Sequence, residues 1–338
     1  MALDLATEPI CITGVTGYIG GRLAERLVAE RGATVRGLVR DPAKAGRVAA
    51  IGVEPVPGDI TDPASLRAAL AGCTVVYHCA AWVGEQGSRA QMWAINVEGT
   101  RQVVEAALAA GVRRFVQVSS CAVYGSLQNC FDIDETYPMR RGAGLYADSK
   151  IDAEEVVWSA YRERSLPAVL ARPSQVYGLG SPQFTLRPLA AIQAGKLPLI
   201  DGGRHFCKPV YIDNLVDGLI ACAEVDAAVG EAINLTDGAP VPWRDFFGAY
   251  ARMAGVERLP SIPYPAAWLA GLAFEGLAAL RGKSPSISRA TMRTLRSRNS
   301  FSNRKAQALL GWRPAVDLAE GMRRTEVWLR AHGYLPRQ

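Results

Sequence analysis

Residues 10–20 constrain this chain more than any other stretch. A short apolar run, Ile10-Cys11-Ile12-Thr13, leads straight into Gly14-Val15-Thr16-Gly17-Tyr18-Ile19-Gly20 and then into helical periodicity as far as Arg31. Ile19, Leu23, Leu27 and Val28 share one face there, the stripe a helix needs to cover a sheet. Each glycine has its own task in such a strand–turn–helix unit. Gly14 permits the tight turn, Gly17 lets a pyrophosphate reach the backbone, and Gly20 allows helix and strand to pack closely. Thr16, Tyr18 and Ile19 complete the loop, and the helix N-terminus adds N–H donors and positive dipole. The unit predicts dinucleotide binding.

The alternation continues through the first half of the chain. Apolar runs at 34–39, just before Asp59, at 73–80, 115–118 and 168–172 are interleaved with helical periodicity at about 92–110 and from Tyr146 onward. Such repeats build a parallel, doubly wound sheet, so the expected fold is α/β of Rossmann type. Residues 1–172 with about 209–237 are assigned to the dinucleotide-binding domain, and about 173–208 with 238–335 to a smaller, discontinuous substrate lobe. The runs Pro209 to Ile212 and Ala232 to Leu235 are both expected to return to the sheet.

At 338 residues, 49% hydrophobic and 21% charged, the chain has enough apolar material for a large core, which excludes disorder and a disulfide-stapled miniprotein. From Arg281 onward 13 Lys/Arg stand against three Asp/Glu, so the net charge of +6 sits in the tail. No aromatic or helix-turn-helix pattern accompanies it, which favours an anion site or a solvated face over nucleic acid. The seven cysteines are odd in number, lack metal-ligand spacing and suit a reducing cytoplasm; no metal is expected. The start, MALDLATEPI, lacks the marks of a signal peptide. Ala266 to Leu280 is strongly apolar but short for a membrane span and holds Glu275. It reads first as a core or pocket helix, with membrane-surface contact as the second reading.

Which dinucleotide is bound depends on the end of the second strand, where an acid would hold a free ribose hydroxyl and repel an extra phosphate. The strand ends on Val39, and Arg40 follows with a planar fork suited to phosphate. NADP(H) is preferred on this ground, and Asp41 keeps NAD(H) possible. After the third strand, Asp59 can accept from an adenine amine while Ile60 packs on the ring, and the small Cys79, Ala80 and Ala81 leave room for a cofactor.

Tyr146-Ala147-Asp148-Ser149-Lys150 places a phenol and an ammonium one helical turn apart. A free phenol titrates near ~10, too high for proton transfer at neutral pH, and a nearby cation lowers it. Upstream, Val118-Ser119-Ser120-Cys121-Ala122-Val123-Tyr124-Gly125 ends a strand with hydroxyls able to polarise a carbonyl.

Together these motifs resemble the short-chain dehydrogenase/reductase superfamily in its extended branch. The resemblance spans nearly the whole chain, through TGVTGYIG, NVEGT, VSSCAVYG, YADSK, ARPSQVYG, YIDNLVDG and RKAQALLGWRP. It implies that Tyr146 is the acid/base, Lys150 its partner and ribose ligand, and Ser120 the carbonyl-orienting hydroxyl. Ser120 is preferred to Ser119 because the branch's serine stands four residues before the tyrosine of the VYG element. Asn96 would support a proton relay, and Pro173 and Ser174 would meet the nicotinamide. A homodimer through helices around 92–110 and 146–164 is also implied.

Ser120 is followed by Cys121 and Ala122 rather than the Asp-Glu pair of the branch's dehydratases, so dehydration is disfavoured. Two anion-binding features of nucleotide-sugar enzymes are replaced by Gln175 and by Cys207-Lys208, although Arg289, Arg293 and Arg296 keep open an epimerase with tightly bound NAD. TVRGLVRDP is similar to NADPH-dependent dihydroflavonol-type reductases, and the apolar insert followed by Phe301 to Ala306 is similar to 3β-hydroxysteroid dehydrogenases. The resulting expectation is an NADP(H)-preferring carbonyl reductase, or hydroxyl dehydrogenase, for a cyclic and largely apolar small molecule. Trp82, Tyr124, Gln175, Phe184 and Lys208 are its candidate substrate contacts, with Trp268 and Phe274 as further aromatics.

Overall fold

Strands β1 (Ile10–Thr13), β4 (Val75–His78), β5 (Arg114–Val118) and β6 (Ala168–Pro173) are buried at every residue, the condition of a parallel sheet covered on both faces. The computed structural model describes residues 3–84, 87–280 and 289–336. Between these strands run α1 (Tyr18–Arg31), β2 (Val35–Val39), α2 (Ala45–Ala49), β3 (Glu54–Pro57), α3 (Pro63–Leu70), α4 (Arg89–Trp93), α5 (Gly99–Ala110) and α6 (Leu145–Arg164). Then follow β7 (Gln175–Tyr177), α7 (Arg187–Gln193), β8 (Leu199–Ile200), β9 (Phe206–Cys207), β10 (Pro209–Tyr211), α8 (Ile212–Glu224) and β11 (Ala232–Leu235). The chain continues with β12 (Val241–Pro242), α9 (Trp243–Met253), β13 (Ser261–Ile262), α10 (Tyr264–Leu280), α11 (Arg289–Leu295), α12 (Arg304–Leu310) and α13 (Leu318–Ala331).

Seven strands form one parallel sheet in the order β11-β6-β5-β4-β1-β2-β3. The order reverses between β1 and β4, and a ligand crevice opens at the carboxyl ends of strands at such a switch point. Leu23 and Leu27 of α1 join Leu215 and Leu219 of α8 on one face. Leu66 of α3, Val103 and Val104 of α5 and Val157 of α6 cover the other. Each fully buried leucine contributes about 2 kcal/mol by leaving water.

As expected, β11 pairs with β6, Ala232 opposite Leu170. The run at Pro209 to Ile212 is different: β10 pairs with β7 in a separate two-stranded sheet. Gln175 holds it there: its N–H donates to the Lys208 carbonyl at 3.0 Å and its side-chain oxygen accepts from Lys208 N at 2.7 Å, which fixes β10 on β7. The helix expected from about residue 92 begins at Arg89, where Ser88 and Gln91 form a capping box. It carries a π segment, Ala94–Glu98, between α4 and α5. Asn214 of α8 binds residues 315 and 316 through its side chain, and its carbonyl accepts from Trp312 Nε1, so α8 and the C-terminal segment are tied together.

The apolar run at 266–280 departs from the core reading. Ala267 and Gly271 are buried and Trp268 is half-buried, yet Leu269, Leu272 and Phe274 are 65%, 47% and 42% exposed. One narrow stripe of α10 packs near α11 and Ile200, and most of the remaining described side chains meet solvent.

Candidate active site

The Gly-rich turn is pressed between β1 and β4. Gly14 adopts φ +72°, and a Cβ there would lie 2.6 Å from the Ala80 nitrogen. A Cβ on Gly20 would lie 2.5 Å from the Gly14 carbonyl oxygen, so helix and turn approach as closely as backbones allow. Gly17 is the N-cap of α1, with no side-chain cap and no acid in the first turn. The first N–H groups and the positive helix end are thus left for an anion, and this cradle fits a pyrophosphate.

Under the turn runs a buried polar chain that periodicity does not reveal. Thr13 Oγ1 lies 2.6 Å from His78 Nδ1, and His78 Nε2 lies 3.0 Å from Thr100 Oγ1. Thr100 donates its own proton to the Asn96 carbonyl at 2.6 Å, so it can only accept from His78. His78 therefore carries its proton on Nε2 and accepts from Thr13. Burial, with the Lys150 charge behind it, lowers the His78 pKa to about 3, which keeps the ring neutral. The available signal was a histidine inside a wholly buried strand, where a polar ring must find partners.

The first turn of α6 carries Tyr146, which is half-buried, and the next turn carries Lys150. Lys150 is 3% exposed and its Nζ donates to the Val118 carbonyl at 2.8 Å. Loss of solvent lowers its pKa to about 8, although Glu154 and Cys79 pull upward. Cys79 is itself pushed up to about 12 by burial and stays a thiol. Ser149 Oγ donates to the Tyr146 carbonyl at 2.8 Å and accepts from Asn96 Nδ2 at 2.9 Å. Asn96 also exchanges two bonds with the Trp82 backbone, at 2.7 and 3.0 Å. The Asn96 amide thus acts as a clamp between the residue 82 loop and α6.

The adjacent serines part company. Ser119 is buried and donates to Glu154, which receives Arg172 in a bidentate pair at 2.9 and 2.6 Å. Ser120 is half-buried, and its Oγ accepts from Ala122 N at 3.1 Å, which leaves its own proton for a ligand. Tyr124 belongs to the Arg172 cluster. It is fully buried, donates to Asn234 Oδ1 at 2.7 Å and accepts from Arg172 at 3.0 Å, so it is a core residue and not a pocket surface.

At the end of β2, Arg40 is 76% exposed, with its Nε 3.7 Å from Asp59 Oδ2. Asp41 is turned into its own chain, where it accepts from Ala43 N at 3.1 Å. The other Asp59 oxygen accepts from Thr61. Ile60 is buried against Gly99, where a Cβ would lie 2.7 Å from Ile60 Cδ1. Pro173 ends β6, and the Ser174 hydroxyl beyond it is buried without a hydrogen-bond partner among the described residues, which fits a polar carboxamide. Ala80 and Ala81 are half-buried.

Among the substrate candidates, Gln175 Oε1 accepts from Lys208 N at 2.7 Å. Lys208 Nζ is buried and donates to Ser297 Oγ at 2.6 Å; desolvation lowers its pKa to about 8. Phe184 packs on the main core. The guanidinium groups of Arg293 and Arg296 lie over the rings of Trp268 and Tyr264, at 5.3 and 4.3 Å from the ring centres. The Arg289 side chain lies outside the described residues.

A seven-stranded parallel sheet with a Gly-rich turn at its switch point and a Tyr-x-x-x-Lys helix defines an NAD(P)-dependent oxidoreductase of the extended short-chain dehydrogenase/reductase type. The model of the NAD dependent epimerase/dehydratase family matches residues 10–236, and the chain belongs to that family. It is 32% identical over 316 residues to the 4-hydroxy-2-methyl-3-oxo-4-farnesyl-3,4-dihydroquinoline-1-oxide ketoreductase of Stigmatella aurantiaca, covering 92% of this chain and 93% of that protein. To the 3-beta-hydroxysteroid dehydrogenase of Mycolicibacterium neoaurum it is 29% identical over 329 residues, covering 93% and 89%. Among solved structures, gox2253 has a TM-score of 0.79 at 29% identity, over 97% of this chain and 100% of that one.

Proposed function

We propose that this enzyme reduces a ketone on a cyclic, largely apolar small molecule, or oxidises the matching secondary alcohol, with a preference for NADP(H). The preference rests chiefly on Arg40, an exposed guanidinium at the end of β2 beside an Asp41 already spent on its own turn. The ring-ketone reading draws support from the two relatives, whose names specify a 3-oxo dihydroquinoline oxide and a hydroxysteroid.

The dihydronicotinamide, when bound, supplies the hydride. Ser120 Oγ–H donates to the substrate carbonyl oxygen, and Tyr146 delivers the proton that turns the developing alkoxide into an alcohol. The Lys150 ammonium, fixed on the Val118 carbonyl, stabilises the phenolate left behind. In the alcohol direction the same phenolate takes the proton back. Ser149 and Asn96 hold the Tyr146 backbone and so position its ring.

Initial rates with NADPH and NADH over a panel of cyclic ketones test this reading. Arg40→Ala should raise KM for NADPH roughly 10- to 100-fold, the loss of a charge-assisted hydrogen bond, and leave KM for NADH nearly unchanged. Equal effects on both cofactors would remove the preference. Protein that purifies with a full complement of NAD and interconverts nucleotide sugars without net cofactor turnover would favour the epimerase instead.

A further inference from the structure

A helix that is apolar all round belongs inside a core or against lipid, yet α10 lies at the surface. In 17 residues it carries one charged side chain, Glu275. Pro265, Ala266, Leu269, Ala270, Leu272, Ala273 and Phe274 are all exposed. No described helix is long and apolar enough to cross a membrane, so α10 can lie along one but not span it.

The described charge beside this face is mainly positive. Three guanidinium groups, Arg293, Arg296 and Arg298, stand against the single carboxylate of Glu275. Arg293, Arg296 and Arg298 are exposed on and just after α11, and the first two lie over rings of α10. Apolar side chains bordered by guanidinium groups complement an anionic lipid leaflet, where acyl chains and phosphates are stacked in the same order. An acidic protein partner would match the charge and leave the leucines uncovered. A second copy would bring arginine against arginine.

We propose that α10 and α11 form a docking surface for anionic membranes. Leu269, Leu272 and Phe274 enter the boundary between headgroups and acyl chains, and the α11 arginines bind lipid phosphates. The proposal is independent of the reaction assigned above, since it concerns where the enzyme sits and not what it reduces.

Flotation of the full-length chain with unilamellar vesicles tests it, using phosphatidylcholine alone and phosphatidylcholine mixed with phosphatidylglycerol. The chain should float with the mixed vesicles, and high salt should weaken the association. Leu269→Glu/Leu272→Glu should lower the bound fraction roughly tenfold, and Arg296→Gln/Arg298→Gln should weaken binding about fivefold per charge removed. A dinucleotide titration of each variant verifies that the first domain is intact. Equal binding to both vesicle types, or none to either, overturns the proposal. So does light scattering that shows a dimer which the leucine variant splits, because a second copy would then cover the face.

Discussion

Lys150 concentrates the chemistry of the site in one titration. Its pKa of about 8 lies below the ordinary 10.5 because the folded protein buries the ammonium. As pH rises through 8 the charge that holds the phenolate is lost, so kcat/KM for ketone reduction should fall on that limb. Folding stability moves the other way. Between 8 and 10.5 the unfolded chain binds more protons than the folded one, so stability rises with pH, by up to about 3 kcal/mol for this group. Paired pH–rate and denaturation profiles of wild type and Lys150→Met check both signs. The variant should lose the rate limb and its share of the stability gain, and a wild-type rate that keeps climbing above pH 8 would contradict the assignment. At this scale the sequence is legible where residues have a fixed spacing, as with Tyr146 and Lys150, which fall on successive turns of α6. The spacing to Tyr124 singles out Ser120, and the Glu154–Arg172 pair supplies the physical ground that spacing does not contain: it engages Ser119 and leaves Ser120 available. Tyr124 lies in the core and not on the expected pocket surface because its partners Arg172 and Asn234 stand 48 and 110 residues away in sequence.

Among the elements, those with strong periodicity stand where the pattern put them, and those defined by a distant partner do not. The stripe Ile19, Leu23, Leu27 and Val28 identifies α1 because one face must meet the sheet. A three-residue strand such as β10 has no pattern of its own, and its pairing with β7 rests on contacts with Gln175, a residue 33 positions from Lys208. The π segment has no signature in the pattern because one extra residue in a turn leaves the apolar stripe almost unaltered, yet it carries Asn96, whose side chain clamps α6. The strand–turn–helix unit itself makes a sharp prediction. Gly20→Ala forces a Cβ to within 2.5 Å of the Gly14 carbonyl oxygen, and backbone on both sides prevents easy relief. The variant should lose about 1–3 kcal/mol of stability, and its dinucleotide affinity should drop with it, as read by thermal denaturation and fluorescence titration. A variant with unchanged values on both would show that α1 and the turn have room to spare.

Over the whole molecule, the seven-stranded parallel sheet carries the Gly-rich turn at its switch point, while the chain beyond β11 adds short strands and helices, among them the exposed α10. Asn214, bonded to Asp237 and to residues 315 and 316, links the two parts, and burial raises the Asp237 pKa to about 7. The net charge, which composition reports only as a total, lies in the tail from Arg281 onward, and Arg293, Arg296 and Arg298 of that tail stand exposed beside α10. The central claim is that Tyr146 is the proton donor and acceptor of a nicotinamide-dependent reaction, and one variant addresses it directly. Tyr146→Phe removes the hydroxyl and keeps the ring, so it separates chemistry from binding. Its turnover with NADPH and a cyclic ketone accepted by the wild type should fall by about 10²- to 10⁴-fold, while the Kd for NADPH stays within about twofold of wild type. A Tyr146→Phe enzyme that turns over at the wild-type rate would contradict the account.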